Sequence, residues 1–170
     1  MSIIEMLLKE VEQEAQITRK MLSIVPNSKY DWKPHPKSMS IMQLTNHIAE
    51  LPNWIAMAVT TNELDFAANP YEPAKFSNTG EVLELFEKAY AEGRAQLQNT
   101  DEATLWEPWI LRSGAHIIFT MNKYETVRVS VAQTIHHRAQ LGVFLRLLNI
   151  PIPGSYGPSA DELAEMEHYA

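Results

Sequence analysis

The sequence contains no cysteine. Disulfides, thiolate metal sites and a cysteine nucleophile are therefore excluded, and the composition suits a reducing compartment. Glycine is scarce, at 6 of 170 residues. That leaves little room for a phosphate-cradling loop, and no P-loop, GxSxG elbow or dinucleotide fingerprint occurs. No run of about 18 apolar residues exists, so no membrane-spanning helix is expected. The opening stretch MSIIEMLLKEVEQEAQ begins apolar, but Glu5, Lys9, Glu10 and Glu12 interrupt it too early for a secretory signal. A cytoplasmic location is the resulting expectation. Clusters of Lys and Arg are missing as well: 14 basic residues lie scattered among 21 acidic ones, for a formal net charge of −7. Such a surface repels phosphate backbones, so nucleic acid is not an expected partner.

What is present suits a helical bundle. Apolar residues make up 45% of the chain, and a chain of this length buries roughly 70% of the surface its unfolded form exposes. One domain over residues 1–170 is expected, with about 150–170 as an extended, Pro/Gly-rich tail ending in a short helical turn. Ser2 and Glu5 have capping-box spacing and open a helix over 2–25, whose apolar stripe runs from Ile3 through Leu7, Val11 and Leu22 to Val25. A loop over 28–39 follows, with Trp32 as its anchor into the core. A second helix runs from Ser40 to Asn62 and carries Pro52, which removes a backbone donor and should kink or break it. Residues 63–78 form a long loop. A third helix covers 79–99, weakened slightly by Gly93. The segment 100–125 reads as a rigid, partly buried crossing marked by Trp106, Pro108 and Trp109, in which 115–120 is a short strand or an extended connection. The fourth helix spans 123–149. The fold class is all-α: a four-helix bundle with long connections.

Histidine placement is the most informative feature. His47 lies three residues after Leu44 and four before Leu51, which sets it on the inward stripe of the second helix. His137 stands in the same relation to Thr134 and Leu141 on the fourth, and Gln133 shares its face one turn earlier. Imidazoles projecting from facing helices suit a borderline divalent metal such as Zn, Ni or Fe, with water or substrate in the open positions. A lone histidine on an apolar face is more often a satisfied core residue than a ligand; two on facing stripes bring the alternatives near to even. His136 diverges from His137 by about 100° around the helix and reads as a neighbour rather than a co-ligand. The four tryptophans read as core or interface residues rather than as a ligand cage. Glu50 is either a support for His47 or a solvated residue, Arg138 either an anion contact or half of a salt bridge. His35 and His116 carry no assignment.

The segments LTNHIAELPNW (44–54), TIHHRAQLGVFLRLL (134–148) and IPGSYGPSADE (152–162), in this order, resemble the DinB/YfiT-like family. The resemblance extends over nearly the whole chain. It implies a four-helix bundle that binds a divalent metal through one histidine in the second helix and an HxxxH pair in the fourth. By that correspondence His47 and His137 are ligands, and the remaining ligand position falls on Gln133 rather than on histidine. An amide oxygen is the weaker donor to zinc or nickel. The site is then weakened, completed by another group such as His136, or a relic. The resemblance also implies a metal-dependent enzyme acting on a small molecule, as a thiol S-transferase or hydrolase. The alternative is a non-catalytic, stress-associated binding or scaffold protein with a degenerate metal site. Relatives that dimerise through helix faces make a homodimer a further expectation.

Overall fold

Helix α1 (Ile3–Ser23) begins at the expected capping box, in which Ser2 and Glu5 satisfy each other's end groups. A second box, Ser40 with Gln43, opens α2 (Ile41–Glu50). Pro52 does break the second arm, and α3 (Asn53–Thr60) resumes after it. Helix α4 (Thr79–Gln98) is capped by Asn78. Helix α5 (Lys123–Leu147) is capped by Asn122 and Glu125. The tail ends in α6 (Ala160–His168). The structure, a computed structural model, describes residues 1–168. Among them no helix is long and apolar enough to cross a membrane.

Both α1 and the broken α2–α3 arm pack against α4 and α5. The ring order is therefore α1, α4, α2–α3, α5, and the first two arms in sequence face each other across the diagonal. Two apolar clusters fill the bundle. One gathers Leu22, Ile41, Leu44, Ile48, Phe86, Leu141 and Leu145. The other gathers Leu7, Val11, Ile55, Val59, Leu97, Leu105 and Val127. Trp32 packs edge-on against Phe144, with ring centroids 5.7 Å apart.

The all-α expectation is corrected by a small three-stranded sheet. Strand β1 (Glu63–Asp65) runs parallel to β2 (Pro108–Ser113), which pairs antiparallel with β3 (His116–Asn122). Burial alternates along β2, where Trp109 and Leu111 turn inward. Trp109 donates its indole N–H to Thr61 at the end of α3, at 3.1 Å. In the expected partly buried crossing, Trp109 is buried and Trp106 is exposed. Asp65 accepts from the backbone N–H of Ala67 and of Gly114 in the β2–β3 turn, where Gly114 takes a φ of +59°.

A buried ion pair crosses from α1 to α5. Arg138 donates to Glu14 at 2.7 Å, to the Thr18 hydroxyl at 3.0 Å and to the Glu14 carbonyl at 3.2 Å. Tyr156 in the tail donates its O–H to Glu14 and accepts from Arg138 at 3.0 Å. Asp161 clamps the tail again, accepting from Arg146 and from the Ile152 backbone N–H. The segment 152–162 is thus a set of fasteners between the tail and the bundle.

Gly93 does more than weaken α4. A Cβ there would lie 2.6 Å from the Pro52 carbonyl oxygen, a backbone atom that cannot step aside. The missing side chain lets α4 approach the break in the second arm. Gly93→Ala should therefore destabilise the protein by about 1–3 kcal/mol, although alanine in a helix is ordinarily favoured by about 1 kcal/mol. Urea denaturation checks this; a more stable variant would show that the approach is slack.

Candidate metal centre

The second arm and α5 bring His47 and His137 together. Their ring centroids lie 4.6 Å apart with the planes crossing at 78°, and both residues are half-buried. The register that produces this has a visible pin. Ser130, two turns before His137, donates its hydroxyl to the Leu51 carbonyl, one turn after His47, at 2.8 Å. The order of the two contacts along α2 and α5 is reversed, so the two helices run in opposite directions past each other.

Gln140 orients the α5 histidines. Its Oε1 lies 3.0 Å from His137 Nδ1, and its Nε2 lies 3.0 Å from His136 Nε2. With the amide oxygen on the His137 side, His137 donates from Nδ1 and keeps a free lone pair on Nε2. Fixing one ring nitrogen by a hydrogen bond is how proteins present the other to a metal. The His136 ring is 4.9 Å from that of His137 but exposed.

Burial holds His47 below the ordinary imidazole value of 6.5; the neighbouring His137 lowers it further and Glu50 opposes. His137 is also held down chiefly by burial, with Gln140 opposing and His136 adding to the depression. Both rings are therefore neutral at pH 7, the form that ligates metals.

Gln133 is exposed on α5, one turn before His137. Glu50 is drawn to the segment that follows β1, accepting from the Tyr71 hydroxyl and the Ala74 backbone N–H. Arg138 is taken up by Glu14. His35, in the loop before α2, accepts from the Lys37 backbone N–H, and both it and His116 are exposed. Among the described residues no group of three or more His, Asp or Glu side chains is placed to hold an ion. The donor set is two neutral imidazoles and, one turn away, an amide. It fits a divalent ion in an open site rather than a closed cage.

Sequence reasoning passed over Gln140. It had a signal in its position, three residues after His137 and four after His136.

The neutral state of the rings has a measurable consequence. Near pH 6.5 the unfolded chain binds more protons at these positions than the folded chain does. Stability contributed by the pair is thus fully present above that pH and falls as pH drops through 6.5 toward the lower folded values. Ring-proton NMR titration of metal-free protein should place both histidines below 6.5. A value at or above 6.5 for either would mean that burial does not control it.

Comparison with known proteins agrees with this architecture. No curated protein matches significantly. The DinB-like protein YjoA of Bacillus subtilis superposes with a TM-score of 0.68 at 16% identity, over 88% of this chain and 96% of its own. YfiT of Bacillus subtilis, described as a probable metal-dependent hydrolase with an unusual four-helix bundle topology, has a TM-score of 0.66 at 12% identity, over 87% and 89%. A mycothiol-dependent maleylpyruvate isomerase reaches 0.60 at 18% identity; the match covers 82% of this chain but 60% of the isomerase. At these identities the likeness is one of fold. The DinB family model matches residues 1–168, from the first capping box through α6, and the chain belongs to the DinB family.

Proposed function

We propose that the chain is a divalent-metal-dependent enzyme acting on a small molecule, of the thiol-transferase or hydrolase kind. One observation carries the proposal: two neutral imidazoles from different helices meet at 4.6 Å. His47 and His137 would hold the ion, whether zinc, nickel or iron, with Gln133 at the third donor position. Such an ion, when bound, supplies Lewis acidity and lowers the pKa of a thiol or water. The chain's own groups do the rest. Burial keeps both rings deprotonated, and Gln140 holds the His137 lone pair in place. Arg138 is committed to Glu14 and is not free to bind an anionic substrate. The likeness in fold to a mycothiol-dependent isomerase and to a probable metal-dependent hydrolase supports a small-molecule substrate.

A second reading, a non-catalytic bundle with a degenerate site, draws on the absence of a third ionisable ligand among the described residues. Metal analysis of untagged protein, followed by a screen of thiols with electrophiles and of hydrolysable amides and esters, separates the two. Bound metal with turnover supports the enzyme; neither supports the bare bundle.

Ligand chemistry gives a sharper expectation. Imidazole is a better donor than an amide to borderline metals, so Gln133→His should tighten zinc or nickel binding by roughly tenfold or more. Titration calorimetry on both proteins measures it. Equal affinities, or a loss on adding the histidine, would remove position 133 from the site.

A further inference from the structure

Two large apolar side chains left exposed near the imidazole pair converge on one place. Met39 is 43% exposed and Tyr71 59%. Single exposed apolar residues are ordinary. These two come from separate segments of the chain, yet they line the same cleft of about 180 Å³, together with Gln43, Asn46, His47 and Pro73. Both walls are held. The inner wall is the first turn of α2, where Met39 precedes the Ser40 cap and the Met42 N–H donates to the Tyr30 carbonyl at 2.9 Å. The outer wall, carrying Tyr71 and Pro73, is tied to α2 by Glu50, which accepts from the Tyr71 hydroxyl at 2.6 Å and from the Ala74 N–H at 3.2 Å. His47 belongs to both the cleft and the imidazole pair, so a molecule at the pair can extend into the cleft.

The lining selects a chemistry. No Lys, Arg, Asp or Glu side chain lines the cleft, so a charged arm would lose its hydration without compensation. The polar residues offer little in exchange. Gln43 Oε1 is committed to the Ser40 N–H at 2.8 Å, Asn46 Oδ1 is buried away from solvent, and the Tyr71 proton is committed to Glu50. What remains is a thioether, a phenol ring, an imidazole and a proline ring. Sulfur and aromatic neighbours favour an aromatic ring over an aliphatic one. A cavity of about 150 Å³ accommodates benzene, so this one takes a single six-membered ring.

We propose that this cleft is a subsite for an uncharged aryl group of the substrate, held between Met39 and Tyr71 next to His47. That the aryl group belongs to the molecule reacting at the histidines rests on the function proposed above; that the cleft binds an aryl group does not.

The test uses metal-free, ¹⁵N-labelled protein and benzyl alcohol as the probe. Cyclohexylmethanol, of similar shape without the aromatic face, and benzoate, which is charged, are the controls. Saturable shifts are expected at residues 39–47 and 71–74. Affinity should be millimolar, as suits a probe of about eight heavy atoms. Cyclohexylmethanol should bind about threefold more weakly, and benzoate about tenfold or more. Tyr71→Ser and Met39→Ser should each weaken the probe by about fivefold; both residues are exposed, so neither change opens the core. If Tyr71→Ser loosens the outer wall, Met39→Ser decides alone. Binding of either control as tightly as the probe, shifts confined to other residues, or a Met39→Ser variant of unchanged affinity would overturn the subsite. A zinc titration of the same sample tests the metal reading separately. Aryl binding without zinc binding keeps the subsite and removes the enzyme; zinc binding without aryl binding does the reverse.

Discussion

The arrangement depends on how the break at Leu51–Pro52 is held. Proline ends α2 because it lacks an N–H and crowds the preceding turn. A helix end inside a bundle would leave carbonyls unpaired. Here the Leu51 carbonyl accepts from Ser130 on α5 and from the Trp54 N–H. On the other side Gly93 lets α4 come within contact of the Pro52 carbonyl. The break is gripped from both neighbours, and His47 sits one turn before it. A single hydroxyl-to-carbonyl bond is worth only about 1 kcal/mol. Its weight lies in register: sliding α2 by one turn, about 5.4 Å, would separate rings that now lie 4.6 Å apart.

The Glu14–Arg138 pair plays the complementary part on the face of α5 turned toward α1. Burying two charges is costly, and either one left alone is costlier still. The guanidinium is therefore met by Glu14, Thr18 and Tyr156 together. This fixes the rotation of α5 about its own axis. With Arg138 turned toward α1, its sequence neighbour His137 is turned about 100° away, toward the second arm. The tail is drawn in by the same network through Tyr156.

The helical arms were legible because a 3.6-residue period repeats over many turns in each. His47 and His137 were legible for the same reason, since their spacing from Leu44, Leu51, Thr134 and Leu141 fixes a face. The sheet was less so. Strand β1 has three residues and no alternation to display, and its partner, residues 110–112, lies far along the chain. The segment around 115–120 could be read as extended, but nothing local said what it pairs with. Arg138 illustrates another limit. Its place beside His137 suggested either of two roles, and only the folded chain brings Glu14 to it. Spacing put Gln133 on the His137 face, yet could not show that this part of the face is open to solvent.

The central claim is that His47 and His137 together bind one ion. X-ray absorption spectroscopy of zinc-loaded protein at one equivalent tests it most directly, because imidazole gives a multiple-scattering signature that can be counted. Two imidazoles per zinc are predicted, with oxygen filling the other positions, falling to one in His47→Ala and in His137→Ala. An all-oxygen shell, or a signature unchanged by either substitution, would contradict the account.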